Sequence, residues 1–238
     1  MNEQIIQGIR LSLSQIEEES YIRQIKAFQN TIQLTFTKPI TFFVGENGSG
    51  KSTLLQAMAV ASHFNLEGGT RNYHFSTYHS TTQLDQAISL IKGVRKEKWG
   101  YYLKAESFYN VATMEENYAL GKSEHYHEMS HGESFLSLIQ KEFCENGLYF
   151  LDEIEAALSP QRQLTLMAEI ERYAKKGAQF FIVSHSPLLL ALPDADIYQF
   201  DDRGIHLCPY EETDSYQITK MFMENRTMML KHLLEKEE

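Results

Sequence analysis

PITFFVGENGSGKSTLLQ, residues 39–56, is the stretch on which the reading of this chain turns. Ile40, Phe42, Phe43 and Val44 form a short apolar run of the kind that a buried parallel strand shows. Gly45-Glu46-Asn47-Gly48-Ser49-Gly50-Lys51-Ser52 follows and fits G-x-x-x-x-G-K-[ST]. From Thr53 to Ala61 the residues are good helix formers. Strand, glycine-rich loop and helix in succession are the context this motif requires. The glycines let the backbone wrap tightly and turn several N–H groups inward. The start of the helix adds partial positive charge at the same place. An ammonium at Lys51 would reach the β- and γ-phosphates of a nucleotide, and the Ser52 hydroxyl would sit on Mg²⁺. A glycine turn that merely precedes a lysine is the bland alternative, and the flanking strand and helix weigh against it.

Downstream, LYFLDE at residues 148–153 reads as a second buried strand with Asp152 and Glu153 at its carboxyl end. Ligands of open α/β sheets bind at that edge. Asp152 can hold the Mg²⁺ shell and Glu153 can polarise an attacking water; a pair of solvated acids is the alternative. Ser159-Pro160 then starts a helix that runs through Leu166 and Ile170 to Lys175-Lys176-Gly177. QFFIV, residues 179–183, is a third buried strand, and it ends in Ser184-His185-Ser186. His185 there is placed to meet a γ-phosphate. Residues 197–210 read as a hairpin turning near Asp202-Arg203-Gly204.

Between these blocks the α/β rhythm weakens, and a helical lobe is expected over roughly 62–147 within one domain of 238 residues. Residues 83–92 look amphipathic, with Leu84, Ala87, Ile88 and Ile91 on one helical face. The aromatic block 101–113 leads into a helix and contains Glu106. Ser130, Gly132 and Glu133 precede an apolar helix and have helix-start character, a second possible anion-facing turn. His125, His127 and His131 invite a metal reading, which the lack of a nearby cysteine or fitting carboxylate spacing disfavours.

Upstream, Ile9, Leu11 and Leu13 alternate as a strand does, and so do Ile32, Leu34 and Phe36. They predict an antiparallel pair leading into the glycine-rich stretch. Tyr21 or Phe28 could stack on an adenine, with core packing the favoured alternative. Residues 214–238 are read as helical, with Met221, Phe222, Met228, Met229 and Leu233 as a docking face and a partner groove as the lesser reading.

Composition sets bounds. The chain is 42% hydrophobic and 12% aromatic, enough for a sizeable core. Its net charge of −10 argues against a general nucleic-acid or anionic-membrane surface. Lys92, Arg95, Lys96 and Lys98 are its one basic cluster, favoured as a solvated face over a nucleic-acid contact. Two distant cysteines, Cys144 and Cys208, suggest a reducing cytoplasm. The acidic start has no signal-peptide shape, and no apolar run is long enough for a membrane span.

GENGSGKS, a polar block at Glu106, SHGE, LYFLDE and SHS stand in one order over residues 41–187. That order resembles the ABC-type ATPases, the broad group of transporter nucleotide-binding domains and of SMC-like and RecF-like heads. Within it the chain looks most like small stand-alone predicted bacterial AAA/ABC-like ATPases carrying AESF, SHGES and DE-x-EAALSP, here 105–108, 130–134 and 152–160. The resemblance implies an α/β fold of ABC type: a mostly parallel core sheet, an N-terminal antiparallel β-subdomain and a short helical lobe. It also implies ATP and Mg²⁺ as cofactors and two copies packed head to tail.

In that picture residues 45–53 and Lys51 hold one nucleotide. Ser52, Asp152 and, as a substitute for the usual glutamine, Glu106 serve the metal. Glu153 and His185 act in hydrolysis. Ser130, Gly132 and Glu133 meet the γ-phosphate bound to the other copy. The chain departs from the pattern at His131, where many members have glycine, at Glu133, where many have glutamine, and at Ile154, where proline is common. Only about twenty residues separate the Glu106 block from SHGE, too few for a long coiled-coil arm. The implied activity is ATP hydrolysis coupled to dimerisation, with an unknown protein partner. A nucleotide-gated binding module and a transporter nucleotide-binding subunit are the alternatives. A role in DNA repair or phage defence rests on fold-level analogy and the small basic cluster, and the overall acidity counts against it.

Overall fold

The computed structural model describes residues 2–29, 31, 33–66, 68–70, 83–105 and 131–234, the backbone only for 131–135. The strands among them are β1 (Ile6–Leu11), β2 (Gln33–Thr35), β3 (Ile40–Gly45), β4 (Ile88–Lys92), β5 (Trp99–Lys104), β6 (Gly147–Asp152), β7 (Gln179–Val183), β8 (Ala195–Asp201) and β9 (Gly204–Leu207). The longer helices are α1 (Lys51–Ala61), α2 (His131–Glu142), α3 (Pro160–Ala174), α4 (Asp214–Glu224) and α5 (Arg226–Leu234).

The main sheet runs β5-β6-β7-β3-β8-β9. Its first five strands are parallel, and β9 returns antiparallel against β8. Every residue of β6 and β7 is buried, as strands covered on both faces must be. Side chains alternate between two cores. Phe43, Phe150 and Phe181 face the side with α1 and the N-terminal sheet. Phe42, Tyr149 and Phe180 face α2 and α3. Neighbouring rings stack across the strands: Phe150 on Phe181 with centroids 5.4 Å apart, Tyr149 on Phe180 at 4.9 Å. Such contacts add roughly 0.5–1.5 kcal/mol each beyond their buried area.

The predicted N-terminal pair is present, β1 antiparallel to β2, with β4 on its other side in the order β2-β1-β4. A fully buried glutamine ties this small sheet to the large one. Gln179 Oε1 accepts from the Ile6 N–H and Gln179 Nε2 donates to the Ile6 carbonyl, both at 2.8 Å. The amide side chain thus reproduces a strand pairing where β1 bulges between Ile6 and Gly8.

Three sequence readings are corrected. Residues 83–92 are not one amphipathic helix: a single turn, Leu84–Ala87, passes into β4. Ile88 and Ile91 are β-branched and pair with β1, and this edge pairing overrides a short helical period. The aromatic residues 101–104 lie in β5, parallel to β6, where Tyr101, Tyr102 and Leu103 are buried; 106–113 lie outside the described residues. Within 62–147 the described residues therefore contribute two strands as well as helix.

The third concerns the C-terminus. α4 and α5 contain no buried residue, and Met221, Met228 and Leu233 are 48%, 54% and 69% exposed. The predicted face is not docked on the core, because both faces of the main sheet are already covered. The hairpin, by contrast, closes where expected, with Asp201 opposite Gly204. Both cysteines are free thiols. Among the described residues no helix is long and apolar enough to cross a membrane.

Candidate functional site

Parallel strands put their carboxyl ends on one edge. β7 lies between β3 and β6, so the ends that carry the glycine-rich loop, Ser184-His185 and Asp152-Glu153 are neighbours. Three of the loop's glycines, Gly45, Gly48 and Gly50, have φ of 142°, 81° and 98°. At Gly50 space forbids a side chain as well as conformation: a Cβ would stand 2.8 Å from Phe28 Cζ. Gly50 is also the N-cap of α1 and supplies no side-chain acceptor, so the first turn of α1 opens on the loop. Gly50→Ala is expected to lose about 1–3 kcal/mol of stability in urea unfolding from backbone strain alone. An unchanged unfolding midpoint would mean that the loop relaxes freely.

Lys51 is 4% exposed, and its Nζ donates to the carbonyls of Gly45 and Glu46, both at 2.8 Å. Burial lowers its pKa below the ordinary lysine value, and the carboxylates of Glu153 and Asp152 draw it part of the way back. The Ser52 hydroxyl donates to Asp152 Oδ1 at 2.8 Å, although the two residues lie 100 apart in sequence. Asp152 itself is 9% exposed.

Glu153 follows in a left-handed conformation, φ 50° and ψ 36°, which costs a non-glycine residue about 1–2 kcal/mol. Its N–H donates to the Val183 carbonyl, 3.0 Å away on β7. That turn brings Glu153 Oε1 to 3.8 Å from His185 Nε2. The imidazole nitrogen is buried and has no hydrogen bond. A buried ammonium, a hydroxyl–carboxylate pair and a carboxylate–imidazole pair thus share one strand edge, beside the glycine-rich loop and the first turn of α1. Such an arrangement can bind a polyanion with a hard divalent cation and handle a proton next to it.

A cleft of about 950 Å³ opens beside the loop and is lined by Tyr21, Glu46, Asn47, Asp201, Arg203 and His206, among others. Tyr21 is 56% exposed there, whereas Phe28 is wholly buried; of the two aromatics weighed from the sequence, only Tyr21 faces the cleft. A second cleft of about 550 Å³ runs from Gly45 and Asn47 past His185 to Ile218 of α4.

Gly132 and Glu133 lie in the first turns of α2, which packs against α3 and the turn Ile154–Ala157. Ser130 and Glu106 fall outside the described residues, as do His125 and His127. The Ala105 N–H donates to the Asp152 carbonyl, 3.1 Å away, so the described chain stops one residue short of Glu106 at the edge that holds Asp152. Among the described residues no three His, Cys, Asp or Glu gather as a metal centre. The basic residues Lys92, Arg95, Lys96 and Lys98 are exposed near the start of β5, at the sheet edge opposite the loop.

Sequence reasoning overlooked Glu155. Its Oε1 accepts from the Ser184 hydroxyl at 3.0 Å and the His185 N–H at 2.6 Å. The only signal was a third acid two residues past Glu153. It also overlooked that the β8–β9 hairpin and the start of α4 wall the clefts, since that depends on strand order.

Two protein-family models match the chain in succession. One is described as "AAA domain", over residues 21–130. The other is "AAA domain, putative AbiEii toxin, Type IV TA system", over residues 120–191. No curated protein matches. Among solved structures, the chain is similar to "An inward-facing conformation of a putative metal-chelate type ABC transporter" at 15% identity and TM-score 0.45, over 81% of this chain and 82% of that one. It is also similar to the SMC head domain from Thermotoga maritima at 13% identity and TM-score 0.46, over 86% of this chain and 98% of that one. The two AAA-domain matches together span residues 21–191, and the motif order and the parallel sheet that gathers those motifs at one edge agree with them.

Proposed function

We propose that this chain binds and hydrolyses ATP with Mg²⁺, and that two copies close head to tail over the nucleotides. The observation that carries the reading is the 2.8 Å hydrogen bond from Ser52 to Asp152, with Lys51 buried beside it. A serine hydroxyl and an aspartate in contact are hard oxygen donors. They suit Mg²⁺, which takes one or two protein oxygens, substrate phosphate and several waters. When bound, the ion supplies charge neutralisation at the β- and γ-phosphate oxygens.

The chain's own residues do the rest. The amides of 45–52 and the first turn of α1 hold the phosphates. Lys51 exchanges loop carbonyls for phosphate oxygens. Glu153 orients a water and takes its proton, while His185, 3.8 Å away, holds the γ-phosphate side of that pair. Glu106 supports the metal, and Ser130, Gly132 and Glu133 reach the nucleotide of the other copy. This division of labour is positioning and electrostatics, with little covalent work. The free thiols of Cys144 and Cys208 suit a cytoplasmic setting.

Tyr21 stacks on the base in this reading. Tyr21→Ala is expected to raise the Kd for ATP about tenfold, the scale of one base–aromatic stack. Titration with a fluorescent ATP analogue reads it. A change below twofold would put the base elsewhere.

Steady-state phosphate release tests the whole. Release from Mg·ATP that stops with EDTA supports hydrolysis. Tight ATP binding without release would instead make the chain a nucleotide-gated binding module.

A further inference from the structure

The carboxylate of Glu155 reaches toward the end of β7. Through one oxygen it accepts from the Ser184 hydroxyl at 3.0 Å and the His185 N–H at 2.6 Å. Its second oxygen is buried without a hydrogen bond. The contact belongs to a closed ring. The Ser184 hydroxyl accepts from the Ser186 N–H at 3.0 Å. The Ser186 hydroxyl donates to Gln163 Oε1 at 2.6 Å, and Gln163 Nε2 donates to the Leu158 carbonyl at 3.2 Å. The Leu158 N–H returns to the Glu155 carbonyl at 3.0 Å.

Ser184, Ser186 and Gln163 are 0%, 8% and 8% exposed. Hydrogen bonds in such a setting are stronger than in water and costly to leave unmade. The ring therefore holds the backbone on both sides of His185, at Ser184 and at Ser186, to the turn Ile154–Ala157. That turn begins next to Glu153. The relative placement of the Glu153 carboxylate and the His185 ring thus depends on Glu155, which contacts neither side chain.

We infer that Glu155 is a positioning residue for ATP hydrolysis: its carboxylate fixes the His185 backbone, and through it the imidazole, against Glu153. The inference rests on the proposed roles of Glu153 and His185. A displacement of about 1 Å at a reacting centre lowers rate by up to about a hundredfold. The requirement is an acceptor oxygen rather than a charge, since both donors to Glu155 are neutral. Glutamine in place of Glu155 keeps that oxygen; alanine removes it.

The test compares Glu155→Ala and Glu155→Gln in the full chain, by ATPase kinetics and by the His185 imidazole NMR signal in nucleotide-free protein. His185→Gln identifies that signal among the nine histidines. Expected is a kcat for Glu155→Ala lower by about 10- to 100-fold with KM within threefold, near-wild-type kcat for Glu155→Gln, and a His185 signal shifted in the alanine variant only. A kcat for Glu155→Ala within threefold of wild type overturns the inference, as does a loss that glutamine fails to rescue, or one carried by KM. Should the wild type hydrolyse no ATP, the proposed function fails. The NMR comparison then decides the positioning claim alone, and an unmoved His185 signal refutes it.

Discussion

Lys51→Met weakens ATP binding roughly 100- to 1,000-fold while leaving the nucleotide-free fold intact. Methionine keeps the length and most of the volume of the buried stem, so packing around a side chain that is 4% exposed is preserved. What it removes is a charge that has been taken out of water. In the nucleotide-free chain that ammonium is satisfied by the carbonyls of Gly45 and Glu46 at 2.8 Å. A triphosphate offers charged acceptors in their place, and hydrogen bonds between ionised partners are about twice as strong as neutral ones. Calorimetric titration of Mg·ATP reads the effect. A variant that binds within fivefold of the wild type would mean that the amides alone hold the phosphates.

The same substitution has a signature in stability. Burial lowers the folded pKa of Lys51 below the ordinary lysine value of 10.5. Between the folded value and 10.5 the unfolded chain binds the proton more tightly, so wild-type stability rises with pH across that window. Below the window the buried charge is a standing cost. The nucleotide-free variant should accordingly melt no lower than the wild type at pH 7, with its relative advantage shrinking as pH approaches 10.5.

Glu153→Gln lowers turnover by about 100- to 10,000-fold, the usual share of a general base, and leaves the Kd for ATP within about threefold. Glutamine fits the left-handed backbone at φ 50° no worse than glutamate does. It keeps an oxygen near His185 but cannot accept a proton from water. The Ser52–Asp152 pair and the Lys51 cradle stand on β3, α1 and β6 and are untouched by it. Single-turnover and binding measurements on one preparation separate these effects. Turnover within tenfold of the wild type would remove Glu153 from the chemistry.

The parts of the site that were legible in the sequence are those whose physics is local. Glycines spaced for left-handed turns announce the loop, and uninterrupted apolar runs announce β3, β6 and β7, because strands covered on both faces have no polar side to show. The acids at the end of β6 and the histidine at the end of β7 could be placed on one edge because parallel strands end together.

What was illegible depends on partners far away in sequence. Residues 84–91 fit a helical stripe, and nothing local reveals that β1 is waiting to pair with Ile88. Gln179 reads as a polar residue at the start of a strand, yet it is fully buried and bonded to Ile6. Glu155 reads only as a third acid after β6, and its hydrogen bonds to Ser184 and His185 emerge only where β7 lies beside the turn that follows β6. The methionines of α4 and α5 carry an apolar pattern that periodicity alone assigns to a core, and the structure leaves Met221, Met223 and Met228 exposed.

The most direct test of the central claim is the mass in solution of Glu153→Gln, measured by sedimentation with and without saturating Mg·ATP. The account predicts a dimer with Mg·ATP and a monomer with ADP or with EDTA. A protein that is shown to bind ATP in the same sample and yet sediments as a monomer would contradict it.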